Sequence, residues 1–152
     1  METRLKGSAA ISPDVATAVR HLYKAMYAGG VAHETLELVH LRASQINGCS
    51  ACVDAGVESA RKSGVSDEKL HVLVAWREAP YFTDAERAAL ELTEAATRLA
   101  DQPDPVPDAI WDAATEYYDE KQLSAIVLMI ATTNFFNRIN RTLKVPAGTR
   151  WG

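Results

Sequence analysis

The feature that most constrains the fold is the near-continuous series of helix start and stop signals along the chain. Caps, prolines and glycines follow one another from Ser12 to about Leu143, and no run has the alternating apolar and polar residues of a strand. With 152 residues, 47% of them hydrophobic, the chain is long enough to bury a core as one unit. We therefore predict an all-α fold, a single-domain bundle of about seven helices over residues 1–152.

The same signals set the expected helix boundaries. Gly64 occupies a left-handed cap position, and Thr83-Asp84-Ala85-Glu86 is a capping box. The predicted helices run from Ser12-Pro13 to Gly29-Gly30, His33 to about Ile46, Cys49 to Ser63, Ser66 to Pro80, Thr83 to Leu99, Pro107 to Tyr118, and Asp119 to about Leu143.

The last predicted helix is apolar on more than one side, which indicates burial against several neighbours. It is either the central helix of a monomer core or a helix shared between the core and a subunit interface, and the sequence leaves both open. Three asparagines spaced by three residues interrupt it, and we expect them to satisfy buried backbone or interface groups. They are Asn134, Asn137 and Asn140.

Charge and hydropathy exclude several classes of partner. A formal net charge of −4 and a pI of about 5.5 argue against nucleic acid, which requires clustered Lys and Arg. The longest apolar run, Ile126 to Ala131, is too short to span a membrane, and Met1 to Gly7 lacks the apolar core of a signal peptide. We expect a cytoplasmic protein with no nucleic-acid or membrane partner.

The only two cysteines lie three residues apart, in Cys49-Ser50-Ala51-Cys52. Zinc usually takes four ligands, and the four histidines do not form the spacing of a zinc finger, so a metal site is the weaker interpretation. A permanent disulfide is also unexpected in a reducing cytosol, whereas a cycling one is typical of redox enzymes. We predict redox chemistry; the alternative is two small buried residues that never react.

The position of the pair bears on thiol acidity. A helix that starts at Gly48-Cys49 directs unpaired amides and the positive end of the helix dipole at the first sulfur, which favours Cys49 as the more acidic thiol. Two helical positions three apart keep their Cβ atoms about 5–6 Å apart, further than a relaxed disulfide wants. Closing the bridge is therefore expected to strain the first turn and ease its reduction.

Three segments between Glu37 and Asn140 carry a recognisable pattern. They are Glu37-x3-Leu41-Arg42-x-Ser44-x2-Asn47-Gly48-Cys49-x2-Cys52, Trp76 to Arg87, and Asn134 to Asn140. Together they resemble the alkylhydroperoxidase D and carboxymuconolactone decarboxylase family, and the resemblance spans most of the chain.

The resemblance implies an all-helical protein that assembles as homotrimers or homohexamers. It implies a CxxC pair that reduces hydroperoxides and is recharged by a lipoyl-type or thioredoxin-like dithiol. By position, Cys52 resembles the peroxide-attacking thiol, Cys49 the resolving thiol, and Glu37 the carboxylate of a proton relay. This order of the cysteines differs from the one that the helix dipole favours, and we follow the resemblance.

The chain departs from the family pattern where a histidine usually follows the second cysteine by four residues, because that position is Gly56. Ala51 also stands where a histidine can occur. His40 is a candidate substitute, since His33, Glu37 and His40 share one helical face that could alternatively bind a metal. Helix spacing alone does not bring Glu37 beside Cys52, so its proximity to the sulfurs rests on the resemblance.

The sequence thus predicts a CxxC-dependent alkyl hydroperoxide reductase, a thiol peroxidase in antioxidant defence, with catalytic residues Cys52, Cys49 and Glu37 and neither cofactor nor metal. Two alternatives stay open. One is a non-peroxidase oligomeric binding protein with a vestigial CxxC, and the other is a relative of the lactone decarboxylases.

Overall fold

The computed structural model describes residues 2–5 and 11–150, and in these ranges it contains helices and no strand. The predicted all-α fold is confirmed, and the described residues form seven α-helices and one 3-10 helix. The α-helices are α1 (Pro13–Tyr27), α2 (His33–Ile46), α3 (Ser50–Lys62), α4 (Asp67–Val72), α5 (Asp84–Thr97), α6 (Asp108–Thr115) and α7 (Glu120–Leu143), and the 3-10 helix is Leu73–Glu78.

The predicted caps begin the helices as expected. The Ser12 hydroxyl accepts from the Val15 amide at the start of α1, and Thr83 and Glu86 form the complete capping box of α5. Asp119 forms a second capping box with Gln122 at the start of α7. These local bonds satisfy amides that have no partner within the helix.

Two predicted helices are shorter in the structure. The segment predicted from Ser66 to Pro80 is divided into α4 and the 3-10 helix, with a non-helical backbone at Ala75. The division accompanies the inward side chain of Trp76, whose indole nitrogen donates to Glu94 on α5. Pro107 caps α6 rather than belonging to it, and α6 ends at Thr115.

α2 lies between two hydrophobic clusters and packs on α3, α5 and α7. Leu36 and Val39 enter one cluster, which includes Ile126 of α7. Leu38 and Leu41 enter the other, which includes Trp76. Because its side chains point both ways into the core, α2 is the central helix of the bundle.

α7 buries one broad side and exposes two large apolar residues on another. Ile126 and Met129 are 0% and 1% exposed, whereas Val127 and Phe135 are 42% and 45% exposed. The helix is therefore a core helix in the single chain, with apolar surface left over.

A buried carboxylate joins α2, α5 and the 3-10 helix. Glu94 accepts hydrogen bonds from Arg42 Nε at 2.9 Å, Trp76 Nε1 at 2.8 Å and Arg77 at 3.1 Å, and Arg98 adds a fourth at 3.0 Å. Burial alone would raise the pKa of Glu94, but the hydrogen bonds from Trp76, Arg42 and Arg98 outweigh it and lower the pKa to about 2.

No α-helix in the described ranges is long and apolar enough to cross a membrane. Residues 1, 6–10 and 151–152 of the predicted domain, and with them part of the Met1–Gly7 segment, lie outside the described residues.

Replacing Glu94 with Gln should lower the free energy of unfolding at pH 7 by about 3 kcal/mol, because Arg42 is left as a buried charge without its counter-ion. The depressed pKa of Glu94 means that its stabilisation is present above its ordinary pKa of 4.5 and is lost as pH falls toward 2. Urea unfolding of wild type and Glu94→Gln at pH 7 and pH 3 should therefore show a smaller difference at pH 3. An equal difference at both values would contradict this role.

Candidate active site

The cysteines follow a tight turn between α2 and α3. Gly48 has φ +63°, a left-handed conformation that glycine adopts without steric cost. The Asn47 side-chain amide donates to Asn134 Oδ1 and Asn137 Oδ1 on α7, both at 2.8 Å. Arg141 of α7 donates to the Gly48 carbonyl oxygen at 3.2 Å. The turn that presents the CxxC is thus held against α7.

Cys49 and Cys52 form a disulfide at the start of α3, with Cα atoms 5.2 Å apart. The helix begins at Ser50, and Cys49 is its N-cap with φ −85° and ψ 96°. The expected strain assumed two helical positions, and this premise is wrong because the Cys49 backbone is extended. The expected first-turn amide is found: Cys52 N donates to Cys49 Sγ at 3.3 Å.

The second sulfur has its own donor. Asn140 Nδ2 of α7 lies 3.3 Å from Cys52 Sγ, and the side chain is buried. Each sulfur therefore accepts one N–H hydrogen bond, Cys49 from the backbone and Cys52 from a side chain. From the sequence, Asn140 was predicted only to satisfy a buried backbone or interface group. The spacing of the three asparagines by three residues was the one sequence signal that they form a polar stripe on α7.

Two cavities meet the disulfide on different sides. One, of about 280 Å³, borders Cys52 and is lined by Tyr23, His40, Ala51, Cys52, Ala55, Phe136, Asn140, Thr149 and Arg150. The other, of about 200 Å³, borders Cys49 and is lined by Gly48, Cys49, Ser50, Asn140, Arg141, Lys144 and Val145. The Cys52 cavity is the more apolar and the Cys49 cavity carries two cationic side chains.

His40 occupies the space above Gly56. A Cβ atom on Gly56 would lie 3.0 Å from His40 Cδ2 and 3.2 Å from His40 Nε2, closer than ordinary contacts allow. His40 Nδ1 is 3.1 Å from Thr133 Oγ1 of α7, and the ring lies near the Cys52 backbone, which acts to raise the pKa of His40. The imidazole of His40 thus extends from α2 to α3, where Gly56 has no side chain and leaves room for the ring.

The electrostatics of His40 suit a neutral ring. Burial lowers the pKa of His40, and the nearby Glu37 carboxylate acts in the opposite direction. A neutral imidazole has one nitrogen free to accept a proton.

Glu37 is 3% exposed and lies one helical turn from His40. Its carboxylate accepts a hydrogen bond from the Tyr27 hydroxyl of α1. Burial and the Glu37 charge raise the pKa of Tyr23 to about 12, and the pKa of Tyr27 is raised further. Both phenols therefore stay protonated near a buried carboxylate, and Tyr27 donates its hydroxyl to it.

The structure brings Cys49 and Cys52 together directly and places Glu37 with Tyr27, Tyr23 and His40. It does not show a contact between Glu37 and either sulfur. Arg42 pairs with Glu94 and not with Glu37. The tyrosines were missed because their approach to Glu37 depends on the position of α1, which packs mainly against α7.

In residues 2–5 and 11–150, no three His, Cys, Asp or Glu side chains are grouped to hold a metal ion. The face shared by His33, Glu37 and His40 is divided between different neighbours. The His33 ring stacks edge-on with Tyr27, while His40 turns toward Thr133.

Comparisons with known proteins agree with this architecture. The chain is 35% identical to the uncharacterized protein YdfG of Bacillus subtilis (strain 168) over 86% of this chain and 87% of that protein. It is also 35% identical to the uncharacterized protein YnjA of Escherichia coli (strain K12), over 72% of this chain but 59% of the relative.

Two solved structures have the same fold. A protein of unknown function from Agrobacterium tumefaciens, assigned by name to the AhpD antioxidant defence proteins, superposes with a TM-score of 0.87 at 31% identity, covering 98% of this chain and 100% of that one. The debrominase Bmp8 superposes with a TM-score of 0.79 at 25% identity, covering 90% of this chain and 73% of that one.

The sequence model of the carboxymuconolactone decarboxylase family matches residues 13–95, which include α1, α2, both cysteines and nearly all of α5. The match covers more than half of the chain and contains most of the residues around the disulfide. This protein belongs to the carboxymuconolactone decarboxylase family.

Proposed function

We propose that this protein is a thiol peroxidase that reduces small organic hydroperoxides and cycles between a dithiol and the Cys49–Cys52 disulfide. The observation that carries the proposal is the disulfide itself, with Cys52 bordering a cavity of about 280 Å³ that it shares with His40. The similarity to the AhpD-type protein of Agrobacterium tumefaciens supports the same chemistry. The cavity volume suits a small ligand rather than a lipid chain.

Cys52 is the attacking thiol and Cys49 the resolving thiol in this proposal. The Cys52 thiolate attacks the O–H-bearing oxygen, so an S–O bond forms, the O–O bond breaks, and the alkoxide takes one proton to leave as alcohol. The Cys49 thiol then attacks the sulfenic acid and releases water. The peroxide is reduced by two electrons and the two thiols are oxidised to the disulfide.

His40 is the group proposed to take the Cys52 proton and return it to the alkoxide. It borders the same cavity as Cys52, and burial keeps it neutral and ready to accept a proton. When protonated, its Nδ1 can donate to the Thr133 hydroxyl, 3.1 Å away, and the nearby Cys52 backbone favours the cation. Glu37 lies close enough to favour the cation, which gives that carboxylate an electrostatic part in the relay.

A dithiol must supply two electrons for each turnover, and we propose that a lipoyl-type or thioredoxin-like partner does so. The cavity on the Cys49 side supports this, because it is separate from the proposed peroxide cavity. Arg141 and Lys144 border it and would attract an incoming thiolate.

The proposed homotrimer or homohexamer has support in the surface of α7. Val127 and Phe135 expose apolar surface that a neighbouring subunit could cover. Light scattering on the purified protein measures the subunit number directly.

The similarity to the debrominase Bmp8 supports a second candidate, reductive dehalogenation, on the same cysteine pair. In that reaction a carbon–bromine bond becomes carbon–hydrogen, bromide leaves with a proton, and the dithiol becomes the disulfide. Bromide release from a brominated pyrrole, with no peroxide consumption, would favour it. A lactone decarboxylase requires no redox cycle, and a vestigial binding protein would have thiols that never react.

The cysteine roles are tested by trapping the intermediate. With reduced lipoamide and tert-butyl hydroperoxide, Cys52→Ser should lose turnover and form no sulfenic acid, whereas Cys49→Ser should accumulate the sulfenic acid on Cys52. Mass spectrometry after dimedone labelling gives the measurement. Sulfenate in Cys52→Ser would reverse the roles, and background turnover in all three proteins would refute the peroxidase proposal.

Replacing His40 with Gln should raise the pKa of the Cys52 thiol by about one unit and move the pH–rate curve to higher pH, because the thiolate loses its proton acceptor and counter-charge. Alkylation rates over a pH series measure this shift. His33→Gln is the matched control, since His33 is exposed and stacks on Tyr27, and it should leave the thiol pKa unchanged. An unshifted curve in His40→Gln would remove His40 from the mechanism.

The His40–Gly56 contact predicts opposite effects of one substitution in two backgrounds. Gly56→Ala should destabilise the wild type by about 1–3 kcal/mol, because its Cβ is forced against a hydrogen-bonded ring. In a His40→Ala background the contact with the ring is gone and only Leu41 Cδ1, the flexible end of a side chain, stays close at 3.2 Å. The helix propensity of alanine should then make Gly56→Ala neutral or stabilising by up to about 1 kcal/mol. Denaturant unfolding of the four proteins measures the coupling, and additive effects would mean that the two residues do not share this space.

A further inference from the structure

Asn140 differs from the other asparagines of α7 in what it contacts. Asn134 and Asn137 bind Asn47 and hold the turn before the cysteines. Asn140, 6% exposed, directs Nδ2 at Cys52 Sγ at 3.3 Å and borders both cavities. It is therefore in contact with the atom that the proposed reaction oxidises.

The other end of the same amide has no partner. Asn140 Oδ1 is buried and accepts no hydrogen bond, the single side-chain atom of this kind in the described part of the chain. An unsatisfied buried acceptor is destabilising, and native proteins retain few of them. Its position beside the disulfide and both cavities indicates a donor that is present only in another state of the reaction.

Resting on the proposed function, we propose that Asn140 is a catalytic residue that binds both reactants of the peroxide-reducing step. Its N–H donates to the Cys52 thiolate, and its carbonyl oxygen accepts the O–H of the hydroperoxide. A hydrogen bond to a thiolate is charge-assisted and stronger than one to the neutral disulfide, so Asn140 stabilises the attacking form.

The carbonyl oxygen would hold the oxygen that is attacked. In a hydroperoxide the only O–H donor is on the distal oxygen, and it is this oxygen that forms the S–O bond. The proton stays on it as the sulfenic acid forms, and the alkoxide leaves with the proton held at His40. One amide thus orients the substrate and the nucleophile toward each other.

The hydrogen bond to Asn140 Oδ1 also selects the class of oxidant that reacts with Cys52. An oxidant with an O–H group gains the hydrogen bond to Oδ1, and a disulfide or another O–H-free oxidant does not. Discrimination between hydroperoxides and disulfides is expected to reside in Asn140.

Several titratable or charged groups surround Cys52 and contribute to its thiol pKa. His40 and Glu37 approach from α2, Tyr23 from α1, and Arg150 from the C-terminal segment, where it pairs with Asp54 and Glu58 of α3. All of them stay in place when Asn140 alone is changed, so a change in thiol pKa can be assigned to the amide.

Two near-isosteric variants separate the two ends of the amide. Asn140→Leu removes donor and acceptor, whereas Asn140→Asp keeps oxygen acceptors and removes the donor. Thr132→Val is the matched control, because it removes a buried polar group from the same helix without touching a sulfur or the CxxC turn. Thermal unfolding of each reduced protein establishes that it is folded.

The first readout is the Cys52 thiol pKa. The second is a pair of single-turnover rates of the reduced protein, one with tert-butyl hydroperoxide and one with dithionitrobenzoate. Both rates are measured at a pH where the thiolate is fully formed. Asn140→Leu should raise the thiol pKa by about one unit and slow the hydroperoxide reaction about tenfold, with less than about a threefold change toward the disulfide reagent. Asn140→Asp should raise the thiol pKa but keep more of the preference for hydroperoxide. The control should change neither.

An unchanged thiol pKa in Asn140→Leu would overturn the thiolate contact, and equal slowing with both oxidants would overturn the binding of the O–H group. If the wild-type protein reacts with dithionitrobenzoate but not with the hydroperoxide, the peroxidase proposal fails and the substrate contact fails with it. The thiol pKa of Asn140→Leu still decides the thiolate contact in that case.

Discussion

The site depends on the position of α2, and the buried ion pair between Arg42 and Glu94 is the polar interaction that holds this helix in register with α5. Both side chains are about one-tenth exposed, so water screens their attraction only weakly. A buried ion pair of this kind stabilises the fold only when its hydrogen bonds are well formed. Trp76 completes it from the 3-10 helix. Because α2 carries His40 and Glu37 and leads into the CxxC turn, a shift of this helix would move every proposed proton carrier relative to the sulfurs.

α7 supplies the opposite wall. Its polar residues face α2 and α3 one after another along the helix. Thr133 contacts His40, and Asn137 holds the CxxC turn through Asn47. Asn140, further along, contacts Cys52. The same helix anchors Gly48 through Arg141. An otherwise apolar helix can bury these groups because each finds a partner across the interface, apart from the Asn140 carbonyl oxygen.

The family pattern that the sequence resembles has an imidazole one helical turn after the second cysteine, on α3. In this chain the position is glycine, and an imidazole from α2 fills the adjoining volume. A Cβ atom at Gly56 would lie 3.0 Å from the His40 ring, so a side chain there would require the ring to shift. The glycine thus leaves room for the ring, which keeps an imidazole beside the CxxC in a chain that departs from the usual motif.

Most of the fold was accessible from the sequence, because caps, capping boxes and helix-ending glycines act through bonds within a few residues. Most helix boundaries therefore agree with the structure within a few residues. The exceptions are the segment where Trp76 turns inward and a 3-10 helix forms, and α6, which is shorter at both ends. The CxxC pair was equally accessible, since three residues of separation bring two sulfurs together in a turn at a helix start. The positions of His40 over Gly56, Glu37 beside Tyr27, and Asn140 against Cys52 were not, because each joins elements far apart in the chain through side-chain packing. The sequence by itself determined which helices form and that two thiols can meet; only the tertiary structure decided which proton carriers and hydrogen-bond donors surround them, since packing angles and burial set those distances.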